Sequence, residues 1–186
     1  MAGGSSSPAE VRGIKVGVVT NKINNEFWKA MGANPVPTAV AEVSSSMQTG
    51  LIDTYPTPYA FYIPSGLNKI APVMVKLNIW HSAGVTVMNK GVYDKLPAAA
   101  KAALEKDGQK HPASMLRAEI RGVDTALTGA HKAAGGTVVE ATPEQHAEWR
   151  KSLGNFWTDM AKDLGTDGER FYAMMEAGKK ACESAK

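Results

Sequence analysis

Asn21, Lys22, Asn25, Thr57, Tyr59, Tyr62, Trp80 and His81 are the residues of this chain whose types and placement could do chemistry. All fall in loops or at element ends once the chain is divided at its glycines, prolines and apolar runs. Their aromatic rings supply an apolar wall, while amides, a hydroxyl and one ammonium supply directed hydrogen bonds, the make-up of a small-molecule cleft. For any one of them the plain alternative is a solvated loop residue. His81 follows Trp80 beside a glycine bend, where an imidazole either faces a cleft or serves as a satisfied structural group.

No catalytic constellation accompanies them. Nucleophilic catalysis needs a base beside an activated serine or cysteine, and the sequence holds no nucleophile-elbow pattern. The single cysteine, Cys182, sits near a lysine-rich C-terminus and excludes an internal disulfide and a cysteine metal cluster. His81, His111, His131 and His146 lie far apart without metal-ligand spacing. Gly13-x-x-x-Gly17 matches neither common phosphate-binding pattern. The residues therefore point to a binding protein with no metal and no cofactor, and not to an enzyme.

The elements that must position these side chains are marked by proline and glycine. Gly13–Val19 reads as a short buried strand, followed by a loop through Lys22 and a helix over 26–31 capped by Asn24 or Asn25. Gly32 closes that helix, and Pro35 and Pro37 hold Val36 in an extended link rather than a central strand. A second helix covers 42–48, Gly50 stops it, and Leu51-Ile52-Asp53 starts a strand that ends at Pro56. This βαβ-type unit brings its loops to the carboxyl ends of its strands, where open α/β sheets bind ligands. Residues 59–70 are aromatic and partly helical, with a break at Pro64. Strands are expected over 73–80 and 85–89, forming a pair that crosses a hinge. A helix begins near Pro97 and runs to Ala134, distorted near Gly108 and Pro112 and ended by Gly135-Gly136; Thr137–Glu140 is a further strand. Thr142-Pro143-Glu144-Gln145 is a capping box, and Trp149, Leu153, Phe156, Trp157 and Met160 follow at helical spacing. Thr166–Glu169 repeats the capping pattern before a last helix that carries Phe171, Met174 and Met175. This Met and aromatic stripe reads as core or as a packing surface for another lobe.

The bulk numbers agree with a folded α/β unit of 186 residues, 44% hydrophobic and 21% charged. A net charge of +3 with interspersed signs argues against nucleic acid or an anionic membrane as partner. No apolar run is long enough to span a bilayer. Residues 1–6 read as a flexible tail or an expression scar, leaving 7–186 as the folded unit. No secretory signal is legible at the N-terminus.

Four stretches carry a resemblance: SPAEVRGIKV, AMGANPVP, AEVSSSMQTGLID and VMNKGVYDKLPAAAKAAL. They resemble, in order, the C-terminal half of a TRAP-transporter solute-binding protein of the DctP family. The resemblance implies the C-terminal lobe of a periplasmic-binding-protein-like (type II) fold with long C-terminal helices. It also implies a periplasmic receptor that captures a small carboxylate solute between two lobes and delivers it to a TRAP membrane permease. In the family pattern an arginine two residues after the first-strand lysine grips the ligand carboxylate as a bidentate fork. This chain has Gly17 there, so Gly17→Arg is the change expected to restore the anchor. Thr57 corresponds to a ligand-contacting position, and Trp80-His81 is similar to a stretch that lines the cleft in some members. Because the pattern covers one half of the family's length, the resemblance also implies an apolar face. A homo-oligomer or a complementary N-terminal lobe is expected to cover it.

Overall fold

The computed structural model describes residues 7–79, 87–110 and 113–184. A 3-10 turn, Pro8–Val11, leads into β1 (Lys15–Val18), α1 (Lys22–Ala30) and β2 (Asn34–Pro37). Strands β1 and β2 are parallel, with Lys15 opposite Asn34 and Val18 opposite Pro37. Val36 therefore lies in a strand at the sheet edge, so the expected link is a strand, though not a central one. Asn34 and Thr38 donate to the carbonyls of Ile14 and Val18 at 2.8 and 2.9 Å. Pro35 and Pro37 take the alternate positions, whose missing N–H groups would face the open edge, so an edge strand tolerates both.

Helix α1 starts one turn earlier than its sequence suggests. Asn21, in extended conformation, accepts a hydrogen bond from the Asn24 N–H at 2.8 Å and is the cap in place of Asn24 or Asn25. A 3-10 turn (Val40–Glu42) and α2 (Val43–Gln48) follow, ended by Gly50 in the left-handed region at φ 71°. The strand expected from Leu51 does not form. Asp53 N–H donates to the Lys15 carbonyl at 2.8 Å and Gly17 N–H to Thr54 at 2.9 Å, which makes a single bridge along the second edge of β1. The Asp53 carboxylate takes the Lys15 N–H at 2.9 Å, so no regular ladder propagates.

Two short helices, α3 (Tyr59–Tyr62) and α4 (Leu67–Ile70), flank Pro64 as expected and lead to β3 (Val73–Lys76). Strand β3 stops before Asn78, whose φ of 49° is rare outside glycine. It pairs in parallel with β4 (Thr137–Glu140), Val73 opposite Thr137. The strand expected over 85–89 is not found at Val87–Asn89; its first two residues, with Trp80 and His81, lie outside the described residues. Asn89 instead caps α5 (Lys90–Asp94). Two helices, α6 (Ala98–Lys110) and α7 (Ala113–Ala133), replace the single long one.

After β4, the capping box opens α8 (Pro143–Leu153): Thr142 Oγ1 accepts from Gln145 N–H at 3.3 Å, and Thr142 N–H donates to Gln145 Oε1 at 2.8 Å. Helix α9 (Phe156–Asp163) begins after Gly154, so the expected stripe is split between two helices. Helix α10 (Gly165–Ser184) begins at Gly165, which places Thr166–Glu169 inside the helix and overturns the second expected cap. A single glycine makes this corner, and Gly168 lets the two helices close up, since a Cβ there would lie 2.5 Å from the Ala161 carbonyl oxygen.

Two apolar clusters hold the chain. The first joins Val16 and Val18 of β1 to Phe27, Trp28 and Met31 of α1 and to Trp149 of α8. The second gathers Val43, Ile52, Tyr62, Leu67 and Met74. The last helix contributes to neither. Phe171, Met174 and Met175 are 63%, 64% and 59% exposed, so of the two roles open to the stripe this part is surface.

Candidate functional site

The β1–α1–β2 crossover sends three segments past the carboxyl ends of its strands: Val19–Asn24, the turn at Val40, and the loop 55–58. They enclose an open cleft of about 560 Å³. Ile23 and Asn24 on the first turn of α1 form one side, and Tyr55 to Pro58 form the other. Phe61 and Trp157 complete the wall. The volume suits a small molecule, and the position is where open parallel sheets receive ligands. Three neutral polar side chains, Asn24, Tyr55 and Thr57, interrupt an apolar surface.

The family described as DctP, bacterial extracellular solute-binding protein family 7, matches residues 5–163. The chain belongs to the DctP family. Among relatives, it is 26% identical over 161 residues to the C4-dicarboxylate-binding periplasmic protein DctP of Rhodobacter capsulatus, covering 86% of this chain and 48% of that protein. It is 26% identical over 133 residues to a solute-binding protein of Verminephrobacter eiseniae, covering 72% of this chain and 39% of the relative. Among solved structures, the periplasmic ectoine-binding protein of the TeaABC TRAP transporter of Halomonas elongata superposes with a TM-score of 0.79 at 24% identity, over 95% of this chain and 58% of that one. A TRAP periplasmic solute-binding protein from Sulfurospirillum deleyianum with bound succinate gives a TM-score of 0.71 at 22% identity, over 90% and 55%. The fold is thus an α/β lobe of the TRAP solute-binding type. The chain spans about half the length of the relatives it matches.

Against this DctP-family frame the expected site residues separate into groups. Thr57 lines the cleft. Asn21 and Asn25 act on backbone: Asn21 caps α1, and Asn25 Nδ2 donates to the Asn21 carbonyl at 3.0 Å. They fix the helix start that carries Ile23 and Asn24. Lys22 turns to the opposite flank of α1, where its ammonium pairs with Asp163 of α9 in a second groove shared with Glu26, Lys29 and Asp159. Tyr62 is buried, and its hydroxyl donates to the Ala71 carbonyl at 2.5 Å. Tyr59 faces away from the cleft, donating to Asn78 Oδ1 at 3.3 Å.

Gly17, where the resemblance expects an arginine, lies buried in the middle of β1. A Cβ there would meet Ile52 Cδ1 at 2.6 Å and Tyr55 Cδ2 at 3.0 Å. The space into which an arginine would leave the strand is already filled. Val19, Ile23, Val40, Tyr55, Phe61 and Trp157 line the cleft without having been expected there. Trp157 read as stripe and Val19 as strand; proximity to a strand end was a sequence signal for Val19, and Trp157 had none.

Tyr59 gives a pH prediction. Burial first, and then the Asp124 and Glu140 carboxylates, push its phenol up to about 12 from an ordinary 10.0. A raised acid is ionised more readily in the unfolded chain. Its contribution to stability is therefore complete below pH 10 and is lost as pH rises toward 12. Denaturant midpoints should fall across that window, and less steeply in Tyr59→Phe. Identical alkaline slopes would exclude Tyr59 as a source. Tyr55 and Tyr62, raised by burial, and Tyr93, raised first by its hydrogen bond to Glu105, contribute to the remaining slope.

Proposed function

We propose that the chain is a non-catalytic solute-binding module of a TRAP-type transporter. It captures a small organic acid or related polar solute in the periplasm for delivery to a membrane permease. The observation that carries this reading is the cleft itself: 560 Å³ beyond the carboxyl ends of two parallel strands, in a chain of the DctP family. The relatives' names point the same way, one binding C4-dicarboxylates and another ectoine. Thr57 and the α1 start built by Asn21 and Asn25 are the expected residues that serve this cleft.

A panel of small carboxylates and their neutral analogues tests the reading by thermal shift. A ligand that binds only the folded state at 100 times its Kd adds about 2.7 kcal/mol. For a chain of this size that is a rise of roughly 5–10 °C. A saturable rise with any member supports solute capture; none at millimolar ligand removes it.

A second reading, self-association, is favoured by one observation. Phe171, Met174 and Met175 occupy one exposed face of α10 at i, i+3 and i+4 spacing, and Leu116, Ile120 and Val123 share an exposed face of α7 at i, i+4 and i+7 spacing. Such surface calls for a cover, supplied by a complementary lobe or by a second copy. Light scattering after size exclusion should show a dimer or larger species that Phe171→Glu with Met174→Glu returns to monomer. A monomeric wild-type chain at tens of micromolar would remove this reading.

A further inference from the structure

We infer that the cleft reads the uncharged body of its solute, an aromatic ring or branched chain with a neutral hydrogen-bonding edge, and that its lining among the described residues offers no cation to a carboxylate. The inference rests on the reading of the cleft as a solute site and specifies what that site selects.

Three observations carry it. The first is the wall. Val19, Ile23, Val40, Phe61 and Trp157 present apolar surface from four different segments, and the polar side chains among the described liners, Asn24, Tyr55 and Thr57, are all neutral. The second is the fate of the cations nearest the cleft's elements. Lys15 extends its ammonium to the Gly50 carbonyl and to Asp53 at 3.7 Å. Lys22, adjacent in sequence to the cleft residue Ile23, is turned by the helix to the other flank and paired with Asp163. The third is Gly17, where Ile52 and Tyr55 fill the space a side chain would need to leave the strand. An apolar wall gains from a ring it can cover and gains nothing from an ion it must desolvate unpaired. An amide or hydroxyl edge finds partners in Asn24 and Thr57 without that cost.

The test compares phenylacetamide with phenylacetate, nearly the same body without and with charge, and adds succinate as a diacid without a ring. The readout is the indole N–H signal of Trp157 in the nitrogen–proton spectrum of the 186-residue chain, assigned with Trp157→Phe. Phenylacetamide should move that signal saturably at millimolar concentration, phenylacetate no more tightly, and succinate not at all. Val40, 51% exposed on the cleft wall, provides the converse. Val40→Lys adds the missing cation and should reverse the order, favouring phenylacetate by about fivefold.

Wild-type binding of phenylacetate or succinate about tenfold tighter than phenylacetamide would overturn the inference while leaving the solute site intact. An unchanged order in Val40→Lys would also count against it, because the added charge would then lie away from the bound body. If no probe moves the Trp157 signal, the solute-site reading falls and this inference with it.

Discussion

Gly17→Arg should destabilise the chain rather than restore a carboxylate anchor. The substitution first forces a Cβ into 2.6 Å of Ile52 Cδ1, and Ile52 is 1% exposed in the centre of its cluster. Overpacking of that kind costs roughly 1–3 kcal/mol. The guanidinium must then pass Tyr55 or stay buried, and a buried charge without a partner costs several kcal/mol more by general experience. A total above about 3 kcal/mol corresponds to a fall in melting temperature of roughly 10 °C for a chain this long. A thermal or denaturant midpoint checks it. Gly17→Ala isolates the packing part: its cost, about 1–3 kcal/mol, should shrink in an Ile52→Val background, which removes the clashing Cδ1. If Gly17→Arg retained the wild-type midpoint, its side chain would have found an open route to the cleft, and the account of a closed position would be wrong.

An effect of similar size is expected at Gly136, for a different reason. A Cβ at Gly136 would lie 2.0 to 2.4 Å from three atoms of the His131 ring. That ring has little room to retreat. It is 2% exposed, its Nε2 lies 3.0 Å from the Pro72 carbonyl, and the Tyr62 ring meets it edge-on at 5.3 Å. The Pro72 carbonyl also accepts Thr137 N–H at 2.9 Å, so one oxygen ties the end of α7 and the starts of β3 and β4 together. Gly136→Ala should displace the imidazole and break this junction, costing about 3 kcal/mol or more from overpacking and a lost buried hydrogen bond. His131→Ala in the same chain removes the obstacle. The two substitutions should therefore be strongly non-additive in a double-mutant cycle, and additivity would show that the ring is not what Gly136 accommodates.

These two glycines show what the sequence made legible and what it hid. Gly32, Gly50 and Gly135 could be read as helix stops because an αL cap is a local requirement, and all three have positive φ. Gly17 and Gly136 answer to side chains distant in sequence or folded back upon them, and no local pattern announces that. The same division runs through the elements. The capping box at Thr142 was legible because all its partners lie within four residues, and the motifs from Ala30 to Asp53 placed the family correctly. The β2 strand was legible only as extended backbone outside any central strand, because its pairing at the edge depends on β1. Nor was the direction of Lys22, which depends on Asp163 being carried past it by α9. Among the cleft residues, Thr57 could be found because it sits between prolines at the end of an element. Trp157 could not, since a stripe of aromatics says which residues share a face without saying what that face meets.

The two parallel pairs differ in when their partners become available. Strands β1 and β2 are joined by a single helix, with Gly13 and Asn34, 21 residues apart, already hydrogen bonded at the mouth of the unit. Strands β3 and β4 meet across three helices, with Lys76 and Glu140 separated by 64 residues. The longer closure adds only about 1 kcal/mol of chain entropy. In a chain emerging from its N-terminus, however, it means that Val73–Lys76 stays without its strand partner until all of α7 has followed. The strand ends bearing Val19 and Val40 are therefore in place while the β3 half of the fold still waits. The β1–β2 part of the cleft thus comes first in time, and its Trp157 wall, carried by α9, follows only after the last strand of the second sheet.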